Sequence, residues 1–119
     1  MITVRDLQIG DWIEDGYKVA QVTSITCDGI VETTSAISNI DVVEPIKLTE
    51  DILVKNGFDK DERSKYFHVY TLNIKGSYDF DICWSSVNGF NYEGDFILTY
   101  VHQLQHLLRL CGIEKEIEL

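Results

Sequence analysis

Tyr100-Val101-His102-Gln103-Leu104-Gln105-His106-Leu107-Leu108-Arg109-Leu110-Cys111, followed by Gly112, is the stretch that decides the fold. At about 100° per residue, Tyr100, Val101, Leu104, Leu107, Leu108 and Cys111 fall within an arc of roughly 120°, the width of a helical stripe lying on a core. Leu110 sits apart from it. Thr99 is the predicted N-cap, its hydroxyl accepting a free N–H of the first turn. Gly112 can take the left-handed conformation that closes a helix, and Ile113 then meets Leu108 across the cap. Arg109 suits the negative end of the helix dipole. A helix over 100–111 with one apolar stripe needs an apolar surface to cover.

The sequence supplies that surface at 66–98, which reads as an antiparallel sheet. Tyr66, His68, Tyr70, Leu72 and Ile74 share one strand face, and Tyr78, Phe80, Ile82 and Trp84 share the next. A three-residue loop, Lys75-Gly76-Ser77, pairs Ile74 with Tyr78, Leu72 with Phe80, Tyr70 with Ile82 and His68 with Trp84. A two-residue turn would set Asp79 against the apolar face. Phe90-Asn91-Tyr92 and Asp95-Phe96-Ile97-Leu98 add one or two strands after an Asn88-Gly89 turn. The C-terminal helix is expected to lie over this aromatic face.

Residues 1–44 read as a separate small β unit. Strands are expected over 6–13, 17–25, 30–33 and 40–43, with hairpin signals at Asp15-Gly16 and Asp28-Gly29. Such spacing suits either a small SH3-like barrel or a curled meander. Gly10 marks a bulge or corner. Pro45 separates this unit from a second, 45–119. There Thr49 caps a short helix, Glu50 to Asn56, closed by Gly57 and Phe58 as Gly112 and Ile113 close the last one. Asp59-Lys60-Asp61-Glu62-Arg63-Ser64-Lys65 reads as a charged, solvated connection. The predicted fold class is α+β: a small SH3-like barrel or meander, a short helix, then a sheet covered by a C-terminal helix.

Composition narrows the function classes. Hydrophobic residues make up 45% of the 119 and charged ones 25%, so the chain folds rather than staying disordered. The net charge of −10 disfavours nonspecific contact with nucleic acid or anionic lipid. No apolar run approaches the length of a membrane span. No leader segment is recognisable at Met1-Ile2-Thr3-Val4-Arg5-Asp6. Three cysteines, Cys27, Cys83 and Cys111, without zinc spacing, are expected as free thiols in a reducing cytoplasm.

Candidate chemistry is sparse. His102 and His106 have the i, i+4 spacing of metal ligands. However, Gln103 follows His102, so there is no HExxH. Arg109 would also oppose a cation, and a third ligand would have to come from His68 or a carboxylate. The first reading of the pair is a solvated polar face; a metal site and a contact surface are the alternatives. His68 is expected to pack on Trp84, with a Cys83–His68 thiol pair as the alternative. Asp79 and Asp81 lie about 7 Å apart on the outer sheet face, where carboxylates keep a sheet soluble; an acid/base pair is the alternative. Trp12 is a core or barrel-edge aromatic, or else a ligand platform. No phosphate-binding glycine pattern and no nucleophile elbow occurs.

Three segments, L-Q-I-G-D-W-I near the start, E-P-I-K-L-T-E-D-I-L-V-K-N-G-F in the middle and Y-V-H-Q-L-Q-H-L near the end, resemble a family of small uncharacterised proteins from Bacteroides and related gut bacteria, often associated with phage or other mobile elements. The resemblance runs the whole length in that order. Asp11 and His106 stand where that pattern has Asn, and Lys47 where it has Pro. The resemblance brings no established activity to transfer, and no cofactor is expected. The motif implies a shared contact surface around His102, Gln103 and Gln105; Trp12 is a further candidate contact residue.

The expected function is a non-enzymatic accessory or protein-interaction module of mobile-element origin with an unidentified protein partner. A nucleic-acid-associated regulator using the SH3-like unit is the second reading, and a small metal- or thiol-dependent enzyme the third. An exposed sheet edge or the Leu110 side of the helix could support a homodimer.

Overall fold

A computed structural model describes residues 2–74 and 79–119. The chain is α+β, with two open antiparallel sheets of five strands each. It divides into two compact units, Met1–Lys47 with Tyr100–Lys115, and Leu48–Thr99 with Glu116–Leu119. The boundary thus falls two residues beyond Pro45, which is itself paired within the first unit. The last helix belongs to the first unit and not, as its apolar stripe suggested, to the aromatic sheet. No helix among the described residues is long and apolar enough to cross a membrane.

The first unit begins with a 3-10 turn, Val4–Asp6, and runs through β1 (Trp12–Glu14), β2 (Val19–Ile25), β3 (Ile30–Thr33) and β4 (Ile37–Asn39) to β5 (Glu44–Pro45). The strand order is β4-β3-β2-β1-β5, so the sheet is a meander with two free edges and not a closed barrel. Ile40–Val42, expected as a strand, is a 3-10 turn in which the Asn39 side chain accepts from the Asp41 N–H. Gly10 does mark a corner, at φ +94°. Ile2, Leu7, Ile13, Val22, Val31 and Val43 form the core.

Two helices follow in chain order, α1 (Glu50–Lys55) and α2 (Val101–Leu110), and α2 is the helix of this unit. Along α2, Val101, Leu104, Leu107 and Leu108 are buried and Leu110 is exposed, as the stripe predicts. Ile113 N–H donates to Leu108 O at 2.8 Å across Gly112, whose φ is +74°. The start differs from expectation. Tyr100, not Thr99, is the N-cap, and its N–H donates to Gln103 Oε1 at 3.0 Å. Gln103 therefore takes up the orphan group that a hydroxyl cap leaves.

In the second unit Thr49 Oγ1 accepts from Ile52 N–H at the start of α1, and Phe58 N–H donates to Leu53 O at its end, both as predicted. The sheet order is β10-β9-β8-β7-β6, with β6 Asp59–Ser64, β7 Phe67–Asn73, β8 Asp79–Ser85, β9 Gly89–Tyr92 and β10 Phe96–Ile97. The β7–β8 register is the predicted one: Leu72 faces Phe80, Tyr70 faces Ile82 and His68 faces Trp84. The Lys75-Gly76-Ser77 loop and Tyr78 lie outside the described residues. The charged run 59–64 is a strand, not a loop. Its backbone pairs with β7 while all six side chains stay exposed, and a charged edge strand of this kind resists adding further strands. Phe58 sets its ring edge against Phe80, and Phe80 stacks on Tyr92 at 5.1 Å.

Candidate functional site

The polar groups of the first unit converge where the Gly10 corner meets α2. Asp11 is fully buried. A buried carboxylate needs several donors to offset its lost hydration, and Asp11 has three. Gln8 N–H donates to Oδ2 at 2.7 Å, His106 Nε2 to Oδ2 at 2.6 Å, and Arg109 Nη1 to Oδ1 at 3.2 Å. Arg109 Nη1 also donates to Gln8 Oε1 at 2.6 Å. One turn earlier, Gln105 accepts from Trp12 N–H and donates to Gly10 O, each at 2.9 Å. The i, i+1 and i+4 positions Gln105, His106 and Arg109 therefore fasten one face of the helix to three successive backbone and side-chain groups, Gly10, Asp11 and Trp12.

His102 lies one turn before His106. Its ring stands edge-on to the His106 ring at 5.5 Å and nearly parallel to Tyr100 at 5.9 Å. It is only 5% exposed, and its Nδ1 is buried with no hydrogen-bond partner. Burial pulls the His102 pKa below the ordinary imidazole value; Asp11 and Asp6 oppose that pull and His106 adds to it. His102 is therefore neutral at pH 7. Beside it opens a cleft of about 350 Å³ lined by Ile2, Arg5, Asp6, Pro45, Tyr100, His102, Gln103 and His106.

The polar face predicted for α2 is thus not solvated. His102 and Gln105 are buried, Gln103 and His106 half-buried, so the set Trp12, His102, Gln103 and Gln105 is mostly spent on internal bonds and stacking. Among the described residues no group of three or more His, Cys, Asp or Glu could hold a metal ion. His106 is committed through Nε2 to Asp11. In the second unit His68 packs on Trp84 at 4.9 Å. Because Cys83 pairs with Val69, one residue on from His68 and Trp84, it projects to the opposite sheet face. Burial, reinforced by Asp81, raises the Cys83 thiol pKa, which makes it a poor nucleophile. Asp79 and Asp81 accept from Asn73 Nδ2 and Thr71 Oγ1 at 3.0 and 2.7 Å, ordinary cross-strand pairs.

A second organised place surrounds the Asp15-Gly16 hairpin. Asp15 is also fully buried. Its carboxylate accepts from the Tyr17 and Lys18 N–H groups and from the Thr33 and Ser35 hydroxyls, and its carbonyl accepts from Ser38 Oγ. Burial alone would raise its pKa, but the Ser35, Thr33 and backbone hydrogen bonds outweigh that and hold it well below the usual carboxylate range. The tip held in this way carries exposed apolar side chains: Tyr17 is 80% exposed, Val19 45%, Ile37 69% and Val42 49%. Val42 borders Gly16.

Sequence reasoning found His102 and His106 but missed the Asp11 and Asp15 networks and the Arg5–Asp6 wall of the cleft. For Asp15 a signal existed: Asp-Gly at a hairpin followed by Thr33-Thr34-Ser35. For Asp11 the signal was incomplete, since two of its three partners lie more than ninety residues away. No family model, curated protein or solved structure matches the chain.

Proposed function

We propose that the protein is a non-enzymatic interaction module that binds a protein partner through the hairpin face of its first unit. The supporting observation is the exposure of Tyr17, Val19, Ile37 and Val42 around a turn immobilised by Asp15. Exposed apolar groups set on a pre-ordered backbone lose little entropy on binding. Glu14, Glu32, Asp41 and Glu44 are exposed in the same strands and turns, against one base, Lys18. The partner surface that fits is apolar at its centre and basic at its rim. We read this unit as SH3-like in kind, a meander of short strands. An accessory protein of mobile-element origin, as the Bacteroides resemblance suggests, fits that role. A reducing cytoplasm suits three free cysteines, of which Cys27 is exposed.

The test is co-purification with tagged wild-type chain and with a Tyr17→Ser, Ile37→Ser double variant. Both substitutions are on the surface and should change stability by about 0.5 kcal/mol or less each. The wild type should retain a discrete protein partner that raised salt weakens and the double variant loses. Retention of the same partner by the double variant, or recovery of nucleic acid in its place, overturns the proposal.

A further inference from the structure

We propose that the cleft at the start of α2 binds a small zwitterion, a molecule with a carboxylate and an ammonium group, of the free α-amino-acid class. This goes beyond the interaction reading and uses a different part of the first unit. The starting observation is His102: a side chain 5% exposed, lining the cleft, with a buried nitrogen that has no partner in the protein. Buried polar atoms are rarely left so, and a bound ligand is one way of satisfying them.

The other walls say what kind of ligand. The cleft lies at the N-terminal end of a ten-residue helix, where the positive end of the dipole favours a carboxylate. Arg5 adds a guanidinium that has no ion-pair or hydrogen-bond partner among the described residues. Guanidinium and carboxylate form charge-assisted, often bidentate bonds. A doubly charged anion such as phosphate is opposed by Asp6 on the same cleft. Asp6 is held ionised, its pKa lowered first by the Thr3 N–H bond, then also by the Thr3 hydroxyl against the effect of burial. Both Thr3 bonds fall on Oδ2, at 2.9 and 3.1 Å. Oδ1 is left to receive an ammonium group. Adjacent charges of opposite sign thus match the two ends of a zwitterion. The neutral His102 ring can serve either end, as donor or acceptor according to its tautomer. A volume of about 350 Å³ admits a molecule of amino-acid size.

The experiment is a titration of the whole chain with free α-amino acids, followed by NMR at the His102 ring. The control ligands are the N-acetyl and amide derivatives of the same amino acids, and inorganic phosphate. At least one free amino acid should shift the His102 signals saturably at millimolar concentration. Blocking either terminus should weaken binding by about tenfold or more, the loss of one charge-assisted contact. Arg5→Ala, at an exposed position, should weaken it similarly while leaving the protein's thermal unfolding unchanged. No shift with any free amino acid overturns the proposal. So does an equal response to phosphate or to the blocked derivatives, which would show a simple anion site or an unselective cleft. Loss of the hairpin-face partner leaves this result unaffected, since Tyr17 and Ile37 do not line the cleft.

Discussion

His106 donates to the Oδ2 of Asp11 across 2.6 Å, and neither residue is interpretable without the other. His106→Ala strips a fully buried carboxylate of one of three donors, and should destabilise the protein by about 1–3 kcal/mol. His106→Asn can still donate from its amide and should cost less. Urea unfolding at pH 7 measures both, and an unchanged stability in His106→Ala would mean the bond contributes nothing. His102 has a different signature. Its folded pKa is depressed, chiefly by burial, so below about pH 6.5 the unfolded chain binds more protons than the native one. Stability should therefore fall as pH drops from 7 towards 5. Asp15 acts lower down: its depressed pKa gives stability that is present above the unfolded value of about 3.9 and lost below it. Thermal midpoints from pH 7.5 to 3 should fall in two stages, and His102→Gln should lack the upper one. An unchanged upper stage in that variant would assign it to another group.

At the scale of elements, α2 shows how far pattern reading reaches. Period and C-terminal cap were legible because both rest on neighbours within one or two turns: Leu104 and Leu108 are buried, and Gly112 and Ile113 close the helix as predicted. Leu104→Asp places a charge at a site with no exposure and should abolish cooperative unfolding, as followed by far-UV circular dichroism and urea. The same pattern misjudged what α2 covers. An apolar stripe fits any apolar surface, and here the choice is made by Gln105, His106 and Arg109, polar residues that look like a solvated face until Gly10, Asp11 and Trp12 are placed beside them. β6 fails in the opposite sense. Asp59-Lys60-Asp61-Glu62-Arg63-Ser64 has no alternation to read, because an edge strand with exposed residues throughout is held mainly by its backbone bonds to β7, with the Lys60–Glu50 ion pair beside them.

For the whole molecule, the first unit is discontinuous, residues 1–47 being completed by 100–115. Asp11 has two of its three donors on the later segment. A peptide of residues 1–47 should therefore remain unfolded, with collapsed NMR amide dispersion, and covalent linkage to 100–115 should restore dispersion. A folded 1–47 peptide would show that α2 is dispensable to the sheet. By itself, the sequence determined the α+β class, the C-terminal closures of both helices and the β7–β8 register. Each depends on periodicity or on short-range caps, which survive without knowledge of distant contacts. Only the tertiary structure decided which unit α2 completes, that Asp11 and His106 are partners, and that Arg5, Asp6 and His102 wall one cleft. Those facts depend on side chains brought together across most of the chain, and the burial that gives a polar residue its partner leaves no trace in its neighbours along the sequence.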